Sequence, residues 1–162
     1  MRIFLSLGTN IGDRAFNLHK ALKLIDTHRQ IAIISESKIY ETSPLENEDQ
    51  DYFLNQIIEI KTKLDPLDLL DTIKDIESDM GRIKMNKRYQ PRIIDIDILS
   101  YNDIILNDKI LNIPHSKIKF RKFILKPWTD IAPDYILPNS KNSIKELLEC
   151  ISHLKDEVRE YN

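Results

Sequence analysis

The stretch Arg92-Ile93-Ile94-Asp95-Ile96-Asp97-Ile98-Leu99 constrains the fold of this chain more than any other. Side chains of a strand alternate between faces, so Ile94, Ile96 and Ile98 share one side and Asp95 and Asp97 the other. An apolar inner face and an acidic outer face mark a sheet strand open to solvent on one side. The neighbouring elements agree. Arg2 to Leu7, ending at Gly8, reads as a first strand. Asp13 caps a helix in which Phe16, Leu18, Ala21, Leu22 and Ile25 recur at helical spacing to about Thr27. Gln30 to Tyr40 and Phe53 to Thr62 read as two more strands. Asp65-Pro66 opens a second helix, with an apolar stripe at Leu69, Leu70, Ile73, Ile76 and Met80 and a stop at Gly81. With Ile93 to Tyr101 as the next strand, the order is strand-helix-strand-strand-helix-strand. This is the ferredoxin-like βαββαβ pattern, an α+β fold whose antiparallel sheet carries helices on one face. Additional strands and flanking helices follow: Asp103 to Leu106 reads as a strand, and Ser143 caps a last helix from Ile144 to about His153. Phe120 to Trp128 is a mixed apolar and basic segment, and Glu41 to Asp51, with Pro44, an exposed acidic loop.

The 162 residues read as one domain, 1–162. Lys+Arg 24 against Asp+Glu 26 argues against a wholly basic nucleic-acid binder. The single cysteine, Cys150, allows no intrachain disulfide and no cysteine-built metal centre. No apolar run reaches the roughly 18 residues of a membrane span, and the apolar start is too short for a signal peptide. A cytoplasmic setting with no membrane partner is the expectation. Gly8, Gly12 and Gly81 are the only glycines, and neither the phosphate-loop nor the dinucleotide spacing occurs among them. Any nucleotide is therefore handled by another architecture.

Asp95 and Asp97 stand about 6.6 Å apart along the strand. Two like charges on one face repel, and a divalent cation relieves this, since magnesium favours carboxylate oxygens. A solvated acidic face on an edge strand accounts for the spacing equally well. The flanks add weight to the cation. Arg82, Lys84, Lys87, Arg88 and Arg92 fall within eleven residues that hold no acid, and His115 to Lys126 forms a second acid-free basic stretch. Cations and metal together would neutralise a polyphosphate. Glu77 lies on or near the apolar stripe of its helix, either reaching water or touching a nucleotide sugar. Phe53 and Asn55 share a strand face, where ring and amide could take a flat heterocycle. From spacing alone, core packing and a sheet-edge contact fit that pair better. His115 after Pro114 is either an ordinary loop histidine or a phosphate donor near Arg121.

These residues resemble a known family. Pro91-Arg92-x-x-Asp95-Ile96-Asp97-Ile98-Leu99 is similar to the signature of 6-hydroxymethyl-7,8-dihydropterin pyrophosphokinases. Leu5 to Arg14, Tyr40 to Leu45 with Phe53-Leu54-Asn55, Glu77 to Arg82, Ile113-Pro114-His115, Arg121-x-Phe123-x-Leu125-x-Pro127 and Ile131-Ala132-Pro133 extend the likeness over roughly residues 3 to 138. The resemblance implies transfer of the terminal diphosphate of ATP to the hydroxymethyl group of the dihydropterin, giving AMP, within folate biosynthesis. It implies two magnesium ions on Asp95 and Asp97, with Arg82 and Arg92 also in catalysis; the alcohol proton needs an acceptor, for which Asp95 beside a metal is the candidate. It places the pterin between Phe53 and Phe123, read by Asn55 and by main-chain contacts at Thr42 and Leu45. It assigns ATP contacts to Glu77, Lys84, Tyr89, Ile98, His115 and Arg121, a lid to Arg82–Arg92, and a monomeric state.

The sequence departs from the family pattern at Lys84 (commonly Arg), Met85 (commonly basic), Tyr89 (commonly Trp), Gln90 (commonly small), Ile110 (commonly basic) and Ser116 (commonly Tyr). The departures bear on ATP affinity more than on the metal pair. A ferredoxin-like RNA-binding module using the two basic blocks is the competing reading, against which the Asp pair and the net charge speak. A catalytically idle family member acting as a regulator is the other.

Overall fold

A computed structural model describes residues 2–44, 50–82 and 91–162. The main sheet has six strands, β1 (Ile3–Thr9), β2 (Ile31–Glu36), β3 (Tyr40–Thr42), β4 (Phe53–Thr62), β5 (Asp95–Tyr101) and β8 (Val158–Glu160). Five lie side by side in the order β5-β1-β4-β3-β8, and β2 also pairs with β4. All pairings are antiparallel. Strands β6 (Leu106–Asn107) and β7 (Asn112–Ile113) form a separate two-stranded ribbon. The helices are α1 (Arg14–Asp26), α2 (Pro66–Asp79), α3 (Lys122–Ile131) and α4 (Ile144–Cys150). The α+β, ferredoxin-like reading of the sequence holds.

The predicted strand from Gln30 to Tyr40 ends at Glu36 as β2, and a second strand, β3, starts at Tyr40 and takes Glu41 and Thr42 out of the expected exposed loop. β2 pairs with Ile58–Thr62 and β3 with Phe53–Asn55. Between them Ser37 interrupts the ladder: its Oγ accepts from the amide of Ile57 at 2.9 Å, while its own amide donates to the carbonyl of Ile57 at 2.8 Å. A serine side chain here replaces a backbone partner.

The sheet is covered on both faces, not one. Leu5, Leu7, Ile58, Ile60, Ile96 and Ile98 pack under α1 and α2 with Leu18, Ile25, Leu69 and Ile73. Phe4, Ile57 and Leu99 pack on the other face against Ile124, Leu125 and Trp128 of α3 and Ile144 and Leu147 of α4. α3 forms where the sequence showed only a mixed segment. Ile124, Trp128 and Ile131 do have helical spacing, but Pro127 sits inside the helix and obscured it. The Phe4 and Trp128 rings lie 4.9 Å apart, tilted at 52°, a favourable aromatic arrangement. The last helix ends at Cys150, short of His153, and the predicted strand Asp103 to Leu106 is reduced to Leu106–Asn107. Among the described residues, no helix is long and apolar enough to cross a membrane.

α3 and α4 cover only part of their face. Ser6, Gly8, Phe53, Asn55, Asp95 and Asp97 continue the rows of Phe4, Ile57 and Leu99 toward one end of the sheet. There the first turn of α3 overhangs them and leaves a cavity. The side chain that aligns α2 with that end is Glu77, so the start of α2 matters. Asp65 caps it, accepting from the amides of Leu67 and Asp68 at 2.9 Å each. Asp65→Ala is expected to remove about 1 kcal/mol of stability and lower the thermal midpoint by about 2–4 °C, which calorimetry would read.

Candidate active site

The cavity measures about 130 Å³ and is lined, among others, by Thr42, Phe53, Asn55, Arg92, Asp95, Asp97, Arg121 and Phe123. A cavity of roughly 150 Å³ accommodates one benzene-sized ring. An open cavity of this size can therefore seat a flat heterocycle partly exposed at its mouth. Eight residues expected from the sequence thus meet at one place, drawn from β3, β4, β5, the segment before β5 and the start of α3. Phe53 and Phe123 supply aromatic walls, and the Arg121 guanidinium carbon lies 5.4 Å from the Phe123 ring centroid. Asn55 is buried, at 4% exposure, and its amide Nδ2 donates to Thr42 Oγ at 2.7 Å. Gly8 lies opposite Asn55 in the β1–β4 register, and a Cβ there would come within 3.1 Å of Asn55 Oδ1. The glycine gives the amide its space, a role that its reading as a mere strand end had missed.

At the other side of the cavity, Asp95 binds two arginines. Arg82 Nη1 donates to Oδ1 at 2.6 Å, and Arg92 donates to Oδ2. Burial alone would push the Asp95 carboxyl up, but the charges of Arg92 and Arg82 outweigh it and hold it below the usual range. Burial and the charge of Asp95 push Asp97 the other way, above the usual carboxylate range. The pair is an unequal one, which is how two close carboxylates share a site. Among the described residues no group of three or more His, Cys, Asp or Glu could enclose a metal. Magnesium does not need one, because it is commonly held by one or two carboxylates together with substrate phosphates. The donor set fits that ion.

Several other residues hold this arrangement. Asn10, just after β1, is buried. Its Oδ1 accepts from the Arg92 amide at 2.7 Å, and its own amide donates to the Arg92 carbonyl at 3.1 Å. Glu77, expected to touch a nucleotide, is 3% exposed and engaged within the protein. Its Oε1 accepts from the amide of Ile96 at 2.6 Å and from Lys74 Nζ at 2.9 Å, and it pairs with Arg82 at 2.5 Å. Burial raises its pKa, against the opposing charge of Lys74.

Ile98 lies in the core beneath α1 and α2, so its side chain meets no ligand. Ile96 turns its amide and carbonyl away from β1, to Glu77 and Lys74. By strand alternation Ile98 presents its main chain at the same edge, and any contact it makes there is through the backbone. His115 sits half-buried beside that edge. Its backbone amide donates to the carbonyl of Leu99, and its Nδ1 accepts from the Lys117 amide at 3.2 Å. Burial lowers its pKa, opposed by Asp97. In the neutral ring, an accepting Nδ1 leaves the proton on Nε2, which becomes the donor. Ile110 is 75% exposed in the turn between β6 and β7, and Ser116 is exposed. Leu45, Lys84, Met85, Tyr89 and Gln90, with most of the expected lid, lie outside the described residues.

Residues 4–133 match the model of the 7,8-dihydro-6-hydroxymethylpterin-pyrophosphokinase family, and the cavity lies wholly within them. The chain belongs to this family. It is 39% identical over 136 residues to the 2-amino-4-hydroxy-6-hydroxymethyldihydropteridine pyrophosphokinase of Methylorubrum extorquens, covering 84% of this chain and 85% of that protein. It is 36% identical over 146 residues to the folic acid synthesis protein fol1 of Schizosaccharomyces pombe, covering 90% of this chain but 20% of that longer protein. The fold resembles a crystal structure of Plasmodium falciparum HPPK-DHPS, with a TM-score of 0.74 and 26% identity, covering 95% of this chain and 44% of that one. The pyrophosphokinase-family chain thus spans a minor part of some relatives and most of others.

Proposed function

We propose that this protein transfers the β,γ-diphosphate of ATP to the hydroxymethyl group of 6-hydroxymethyl-7,8-dihydropterin, releasing AMP, as a step of folate biosynthesis. The observation that carries the reading is one cavity with aromatic walls and a buried amide at one side, Phe53, Phe123 and Asn55, and an acidic pair with arginines at the other. A flat heterocycle fits the first side and a polyphosphate the second, with the two reacting groups brought together between them. Holding both partners in line supplies much of the acceleration in such a transfer. Two magnesium ions on Asp95 and Asp97, when bound, would neutralise phosphate charge and orient the chain of phosphates.

The protein's own groups do the rest. The hydroxyl oxygen forms a bond to the β-phosphorus, the bond from that phosphorus to the oxygen of AMP breaks, and the hydroxyl proton passes to Asp95. Arg82 and Arg92 both pair with Asp95. Drawing both guanidiniums onto the phosphates would free the Asp95 oxygens for the metal and for the hydroxyl proton. Arg121 and His115 donate to phosphate oxygens, and the main chain of Ile98 meets the base of the nucleotide. Lys84 and Tyr89 are proposed to contact ATP from the lid, and Leu45 to contact the pterin. The reading carries with it a single domain over 1–162, a monomer, and a cytoplasmic setting, in keeping with one unpaired thiol at Cys150.

An assay for AMP with ATP, magnesium and the dihydropterin tests the reading. AMP that requires both pterin and magnesium supports it, and ADP in its place would displace the attack at the β-phosphorus. Asn55→Ala is expected to weaken pterin binding about 10- to 100-fold and leave ATP binding unchanged. Titration of each ligand separately checks this, and weakening of ATP alone would mean that the two ends of the cavity are assigned the wrong way round.

A further inference from the structure

The wall that carries Thr42, Ser43 and Pro44 hangs on a strand of three residues, β3. So short a strand at the edge of a sheet is poorly held by its own pairing. Here it is not the edge. The C-terminal strand β8 pairs with it along its whole length: Tyr40 with Glu160, Glu41 with Arg159, Thr42 with Val158. The contact runs on at both ends. The amide of Tyr161 donates to the carbonyl of Ile39 at 2.9 Å, and the amide of Ser43 to the carbonyl of Glu157 at 3.3 Å.

Side chains lock the same junction from the face opposite Thr42. Glu41 Oε2 accepts from Nε and Nη2 of Arg159 at 3.0 and 2.8 Å, and its Oε1 accepts from Arg14 at 2.8 Å. Burial alone would raise the Glu41 carboxyl, but hydrogen bonds from Arg14 and Arg159 outweigh it and hold it low. Arg14 donates in turn to the carbonyl of Tyr52 at 2.6 Å, next to Phe53. The Tyr52 hydroxyl meets Glu157 Oε2 at 3.2 Å, and the Arg159 guanidinium lies over the Tyr52 ring at 5.6 Å. The residues that enter and leave the heterocycle wall, Ser43 on one side and Tyr52 on the other, are therefore both tied to residues 157–159. Those residues lie beyond the 4–133 matched by the family.

We propose that β8, through Glu41 and Arg159, is a positioning element for the heterocycle-binding wall and sets pterin affinity without touching the pterin. The inference rests on the function proposed above. Its physical basis is pre-organisation. With β8 in place, Thr42 and the Asn55 amide bonded to it stay in the binding-competent arrangement. When β3 frays, only part of the population is competent, and the apparent dissociation constant rises by the inverse of that fraction. ATP, held from β5 and the start of α3, is not affected by the same fraying.

Separate titrations of the intact protein with the dihydropterin and with an ATP analogue test this. Arg159→Ala and the milder Glu41→Gln should each raise the pterin dissociation constant by about three- to tenfold, with ATP affinity, and kcat at saturating pterin, unchanged. Arg159→Lys, which keeps the charge facing Glu41, should recover part of the loss. A role confined to stability would lower the thermal midpoint without this split between ligands. Folded variants that bind pterin as the parent does, or that weaken both ligands equally, would overturn the proposal while leaving the proposed reaction intact. A parent protein that binds no dihydropterin would overturn both.

Discussion

Asp97→Ala is expected to abolish pterin-dependent AMP formation while leaving the fold intact or slightly more stable. The two halves of this expectation have one cause. Asp97 sits beside Asp95 in a buried setting, and both burial and the neighbouring charge oppose its ionisation. A carboxyl whose pKa is raised on folding weakens the native state at pH values above its unfolded pKa, so at neutral pH removing the group relieves that cost. In the proposed reaction the same charge would hold a divalent cation, and through it a polyphosphate. Metal-ion stabilisation of a phosphoryl transfer is worth several kcal/mol, and each ~1.4 kcal/mol is tenfold in rate, so a loss on the order of 10³-fold or more in kcat/KM is expected. Asp97→Asn, which keeps the shape, should lose a similar amount. Steady-state AMP production across a magnesium titration, with a thermal melt of the same samples, reads both halves. Activity retained at saturating magnesium would sink the two-carboxylate site. Activity lost together with the fold would show that Asp97 is held by contacts other than those described above.

The acidic pair was legible because strand alternation is a local rule. Ile94, Ile96 and Ile98 had to face one way, and they do, packed beneath α1 and α2. The same rule misleads once a backbone contact is carried over by name, since Ile98 can meet a ligand only through its main chain. Caps at Asp13 and Asp65 were legible for the same reason: each needs only its own side chain and the next few amides. What the sequence hid was non-local. α3 covers a second sheet face, and its Pro127 breaks the local signal that tertiary packing overrides. The roles of Asn10 and Gly8 depend on partners 82 and 47 positions away, Arg92 and Asn55, which no window along the chain brings together. β8 is three residues long, two of them charged, with too little pattern to be read as a strand until β3 lies beside it.

Glu77 divides the two kinds of reading most sharply, and Glu77→Ala is expected to be among the most damaging single changes to stability. Its Oε1 serves a buried backbone amide, Ile96, between the two aspartates, and two cations, Lys74 and Arg82. Alanine would leave that amide without its acceptor and both cations without their nearest anion. An unsatisfied buried group costs about 1–3 kcal/mol, and breaking one side of a buried ion pair costs about 3–5. These overlap, and Lys74 and Arg82 are partly exposed, so a net loss of about 2–4 kcal/mol is expected, a fall of roughly 5–15 °C in thermal midpoint for a chain of this size. Turnover should fall as well, because Arg82 and β5 lose the tie that sets Asp95 against the cavity. Glu77→Gln can still accept from Ile96 and avoids the cost of burying the charge, so it should lie close to the parent and well above the alanine variant. Nucleotide contact by Glu77 makes a different prediction: a raised KM for ATP with the melting temperature unchanged. Melts of the ligand-free variants, set against their KM for ATP, separate a tether between α2 and β5 from a ligand contact.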